Sequence, residues 1–67
     1  MTNTKLLKKA IKNSGLSVIF ISDKLGITRQ TFYNRLNDKS EFFESEMAIL
    51  TDLLKLGRLE RDEIFLK

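Results

Sequence analysis

Arg29, Gln30 and Asn34 are the residues whose types and spacing could do directed chemistry. Glutamine and asparagine amides each place a donor beside an acceptor, which matches N6 and N7 of adenine, and an arginine fork matches O6 and N7 of guanine. Gln30 and Asn34 stand four apart, so on a helix they share a face. Phe32 and Leu36 repeat at the same interval. If these two turn inward, 100° per residue aims both amides almost directly away from the core. Thr28, Thr31, Tyr33, Arg35 and Lys39 surround that face with groups suited to phosphate oxygens. The helix start at Ser17 and Val18 could add backbone N–H groups to the same task. Phosphate contacts would then set register, and base contacts would read sequence. A helix of about nine residues spans about 14 Å, enough to lie in a major groove about 12 Å wide.

Other chemistry is poorly provided for. The 67 residues contain no cysteine and no histidine, which removes disulfides, the common soft-metal sites and the usual nucleophile–base pairs. Neither a cofactor nor a metal is expected, and the chain is not read as an enzyme. Glu60, Asp62 and Glu63 form a carboxylate cluster, but such a run near the end of a short chain reads as a solvated helix face.

The elements that must position the reading face follow from punctuation. Glycine occurs only at Gly15, Gly26 and Gly57, and proline is absent, a spacing that suits helix ends rather than flexible linkers. Residues 1–3 are expected to fray. A first helix capped by Thr2 or Thr4 should run to about Asn13, burying Leu6, Leu7, Ala10 and Ile11 and exposing Lys5, Lys8, Lys9 and Lys12. Ser17 should cap a second helix from Val18 to about Leu25, with Ile21 and Leu25 inward and a small Ser22 allowing close approach of the next helix. Val18, Ile19 and Phe20 are expected to pack under the C-terminal helix; exposed, Ile19 or Phe20 would instead meet a partner chain. Gly26 suits a positive-φ turn, Ile27 a wedge between the helices, and Thr28 the cap of a third helix from Arg29 to about Asn37. Two helices of this length joined by a tight glycine turn, here over about 17–37, are the signature of a helix-turn-helix. At least one of Phe42 and Phe43 should staple onto a fourth helix, capped near Glu44 or Ser45, ending near Leu56 and closed by Gly57. That helix carries Met47, Leu50 and Leu54 on one stripe with Ile49, Leu53 and Leu56 beside it, and by pattern is the most buried. Leu59, Ile64, Phe65 and Leu66 anchor a last helix over 58–66. No period-2 run suggests a strand, so the expectation is one all-α domain over residues 1–67.

The net charge of +3 conceals an asymmetry. Residues 1–39 hold eight lysines and arginines against two acids, and residues 40–67 hold four against seven. A basic front half beside an acidic back half points to a polyanion on one side of the molecule. No apolar run approaches the roughly 20 residues that cross a bilayer, and the basic, amphipathic N-terminus is a poor signal peptide. No membrane association is expected, and the expected compartment is the cytoplasm.

The stretch GITRQTFYNRLNDK, preceded by IFISDKL, resembles the helix-turn-helix of the lambda repressor/Cro-like (XRE) family, especially small regulators of phages and prophages. Leu16, Ile21, Leu25, Gly26, Ile27, Thr28, Phe32 and Leu36 fit its pattern. Ser22 stands where the family often has alanine, and Val18 where it often has a phosphate-contacting glutamine. The resemblance covers most of the chain. It implies a compact five-helix domain and a transcription regulator, Cro- or repressor-like, that binds a near-palindromic double-stranded DNA operator as a dimer. The apolar end of the chain adds a separate expectation: a homodimer formed weakly through the last helix around Phe65, or formed only on DNA. It places base contacts on Arg29, Gln30 and Asn34, the residues that geometry also selects. The rival reading is a protein-interaction module, such as an antirepressor or antitoxin-like adaptor, using Val18–Phe20 or Phe42–Phe43. A protein-binding helix should carry apolar anchors where Gln30 and Asn34 stand.

Overall fold

The computed structural model describes residues 2–65. Five α-helices follow in order: α1 (Thr4–Ser14), α2 (Val18–Leu25), α3 (Arg29–Leu36), α4 (Glu44–Leu53) and α5 (Arg58–Phe65), with no strand among the described residues. α2 packs on α3 and α4, and α1 packs on α3 and α5. Ten buried apolar residues make one core, to which every helix and the α3–α4 connection contribute. Leu7, Ile21, Phe32 and Leu50 are its fully enclosed members. Phe42 joins α3 to α5 by edge-on ring contacts, 6.2 Å to Phe32 and 6.3 Å to Phe65 between centroids, the geometry that aromatic quadrupoles favour. None of the described helices is long and apolar enough to cross a membrane.

The first three helices end where local chemistry stops them. Gly15 and Gly26 adopt left-handed φ values of 75° and 74° after α1 and α2, conformations that cost a residue with a Cβ about 1–2 kcal/mol. Ser17 and Thr28 accept the N–H groups of Phe20 and Thr31. The cap of α1 is Asn3, whose side chain accepts the Leu6 N–H, and not Thr2 or Thr4. Nor do the described residues of this end fray. Thr2 is buried, and the Asn3 N–H donates to the Ile64 carbonyl, tying the start of α1 to α5.

Several apolar residues lie elsewhere than their pattern suggests. Ile19 and Phe20 are 61% and 41% exposed rather than packed under the last helix. The reason is angular: Val18, Ile21, Ser22 and Leu25 form the inward stripe of α2, and positions 19 and 20 fall on its other side. Leu59 is 79% exposed; among the described residues Ile64 and Phe65 are the side chains of α5 that enter the core. Phe65 itself is buried, and Leu66 lies outside the described residues. α4 is not the most buried helix; only Glu46 and Leu50 are enclosed along it. It ends three residues early, at Leu53, because Lys55 takes the left-handed turn at φ 53°. Gly57 opens α5 instead, donating its N–H to the Glu60 carboxylate 3.2 Å away.

Candidate functional site

α3 is short, eight residues, and its two faces differ completely. Phe32 and Leu36 are buried. On the opposite side the Gln30 Nε2 donates to Asn34 Oδ1 at 3.0 Å. Gln30 is exposed and Asn34 half-buried. The pair therefore forms one joined polar patch. It leaves the Gln30 carbonyl as an acceptor and the Asn34 NH₂ as a donor facing solvent, a matched donor–acceptor set at i,i+4.

The expected residues on α3 and its two ends group around this patch, with one exception. Arg29 is exposed in the first turn, clear of the core, and makes no ion pair among the described residues. Tyr33 and Lys39 are exposed, and Thr31 is half-buried. Thr28 Oγ1 accepts the Thr31 N–H at 3.1 Å and donates to Thr31 Oγ1 at 3.0 Å, so the two hydroxyls form a small relay at the helix start. Lys39 is held beside the patch, because its N–H donates to the Asn34 carbonyl at 2.9 Å. Ser17 is exposed and caps α2; Val18 is half-buried against the core, so what this helix end can offer is backbone.

Arg35 is the exception. It was expected at the edge of the exposed face, ready for phosphate, but is only 8% exposed. Its Nη2 donates to Glu46 Oε2 at 3.1 Å, and its Nε lies 2.9 Å from Oε1, an ion pair without good hydrogen-bond alignment at that nitrogen. Its Nη1 donates to Ser40 Oγ at 3.0 Å, and the Phe43 ring lies 4.8 Å from the guanidinium carbon. The physical reason is that residues 37–43 fold back over the flank of α3 and bring Glu46 to it. Glu46 itself carried a signal. It stands four residues before the enclosed Leu50, on the inward stripe of α4, and a carboxylate there requires a partner.

One basic residue joins the site that charge counting did not single out. Lys8 of α1 lies 3.4 Å, Nζ to Oδ1, from Asn37, the residue that ends α3, and Thr4 Oγ1 donates to Asp38 at 3.3 Å. These contacts set the lysine-rich edge of α1 next to the C-terminal end of α3. Lys5, Lys8, Lys9 and Lys12 are all exposed. A groove of about 520 Å³ lies elsewhere, between α4 and α5, bounded by Glu44, Met47, Asp52, Arg61 and Phe65. None of the α3 patch lines it. No group of three or more metal-type ligands occurs among the described residues. Comparison with known proteins finds no matching family model, no matching curated protein and no matching solved structure.

Proposed function

We propose that the chain is a sequence-specific double-stranded DNA-binding transcription regulator of the lambda repressor/Cro-like kind, as small phage and prophage regulators are. α3 enters the major groove. The single observation that carries the reading is the solvent-facing Gln30–Asn34 amide pair on a helix held from behind by Phe32 and Leu36. The pair can accept from adenine N6 and donate to N7 without first reorganising, while Arg29 reaches a neighbouring guanine. Thr31, Tyr33 and Lys39 contact phosphates on one side, Lys8 extends that contact along α1, and the α2 start at Ser17 and Val18 supplies backbone N–H groups. Arg35 is not among the phosphate contacts. Two copies bind two half-sites about one helical turn apart, pairing on the DNA.

Selection of bound sites from a pool of random duplexes tests this directly. The expected result is a near-palindromic sequence with adenine and guanine at fixed places in each half. Recovery of no preferred sequence, or an affinity indifferent to salt, would sink it, since phosphate neutralisation makes binding fall log-linearly with salt.

A second reading has its own observation. Ile19 and Phe20 are exposed side by side on α2, with Lys24 Nζ 5.4 Å from the Phe20 ring centre. A protein partner would take this apolar pair as its anchor. Ile19→Ala/Phe20→Ala distinguishes the readings. Unchanged DNA affinity with loss of a protein complex favours the interaction module.

A further inference from the structure

We propose that Arg35 and Glu46 are positioning residues: their ion pair fixes the rotation of α3 about its own axis, and thereby which bases Gln30 and Asn34 meet, although neither touches DNA. This inference rests on the DNA-reading assignment above.

Phe32 and Leu36 are the apolar contacts of α3, and at i,i+4 they lie nearly along one line parallel to the helix axis. A cylinder held along a line can roll. Arg35 leaves the helix about 60–80° to one side of that line, so its fixed end is the off-axis point that stops the roll. The fixing is directional. Nη2 donates to Glu46 Oε2 at 3.1 Å and Nη1 to Ser40 Oγ at 3.0 Å, with Nε 2.9 Å from Oε1 as a charge contact, so the planar guanidinium is held at two of its ends, which sets orientation as well as distance.

The partner is itself held. Glu46 Oε1 accepts the Phe43 N–H at 2.9 Å, so the carboxylate is bound to the first turn of α4. Ser40 takes the third fork nitrogen, which fastens the connection between the helices. Both side chains are more than nine-tenths buried, so water does not readily take the place of either partner. The lever is large relative to what base reading tolerates. A side-chain tip sits about 5–6 Å from the axis, so a 20° roll moves it by about 2 Å, whereas an N–H···O bond tolerates about 0.5 Å.

The test uses Arg35→Met/Glu46→Leu, which swaps the pair for apolar groups of similar volume, a change that commonly leaves stability level or higher. Two measurements are made on the folded protein. In hydrogen exchange on the free chain, protection of amides over 35–43 should fall at least tenfold relative to α1 and α5. A merely structural pair would change protection everywhere in step with global stability. In binding, the ratio of affinity for the duplex selected by the unaltered chain to that for a shuffled duplex of the same composition should fall at least tenfold. Affinity for the shuffled duplex should stay within twofold. A double variant that keeps both the ratio and the protection pattern overturns the proposal. An unaltered chain that prefers no duplex ends instead the DNA-reading assignment on which the proposal rests. If the double variant fails to fold, Arg35→Lys serves. It keeps the charge and loses the fork, and a discrimination ratio lowered threefold or more is expected, while an unchanged ratio is fatal.

Discussion

The outer faces of α3 and α5 are both polar, both solvent-facing and both eight residues long, but they are built for different surroundings. α3 contains no acid; its face carries an amide pair with Arg29 beside it, and Lys8 and Lys39 lie at its far end. α5 carries Glu60, Asp62 and Glu63, and its Arg61 is spent on the neighbouring Asp62 at 3.1 Å, an exposed pair worth well under 1 kcal/mol. The inner faces differ as well. Among the described residues the side chains of α5 in the core are the apolar Ile64 and Phe65, whereas α3 adds a buried ion pair to its apolar contacts. A solvated helix needs only to stay attached. A helix that reads base edges must also hold one orientation, and the out-of-line charged contact is found on the helix that would do the reading.

The sharpest way to break this comparison is to remove the charged fastening. Arg35→Ala leaves the Glu46 carboxylate buried without its partner and should lower stability by about 3–5 kcal/mol, against about 0.5–1.5 kcal/mol for Ile64→Val on α5. Urea denaturation of the two variants measures both. An Arg35→Ala loss no larger than that of Ile64→Val would mean that the ion pair holds nothing.

The reading face comes next. Asn34→Ala should weaken binding to the selected duplex by about 1–3 kcal/mol while leaving nonspecific binding nearly unchanged. Parallel losses on both duplexes would show that the amide does not read bases. At the turn between α2 and α3, a Cβ on Gly26 would meet open space, but at φ 74°. Gly26→Ala should therefore cost about 1 kcal/mol through backbone strain alone. Thermal unfolding is the measure, and a neutral result would deny that the turn needs its left-handed residue.

The smallest effects map the edges of the two faces. Lys8→Ala and Lys39→Ala should each reduce the salt slope of DNA binding by about one unit, and Glu63→Gln on α5 should change stability by less than about 0.5 kcal/mol. An unaltered slope in either lysine variant removes that residue from the interface.

Much of the fold was legible because short-range rules are strong where their signals agree. Gly15, Ser17, Gly26 and Thr28 punctuate the first three helices, and the structure uses all four as caps. The signals failed where they competed. Gly57 looked like the end of α4, but Lys55 turns first and leaves Gly57 to open α5. At the site, Gln30 and Asn34 could be placed from angle alone, because they lie opposite the apolar anchors.

Sequence by itself therefore determined the helix count, the caps at Gly15, Ser17, Gly26 and Thr28 and the direction of the amide pair, all properties of residues within about four positions of one another. Only the tertiary structure decided the fate of the flanking residues. Arg35 sits between inward and outward on its own helix, and its burial depends on Glu46, eleven positions away, arriving with the folded-back connection. Lys8 reaches the end of α3 only because α1 packs there. Ile19 and Phe20 stay exposed because none of the described helices covers their side of α2. A helical period fixes which way a side chain points, but what it meets there is set by a partner distant in sequence.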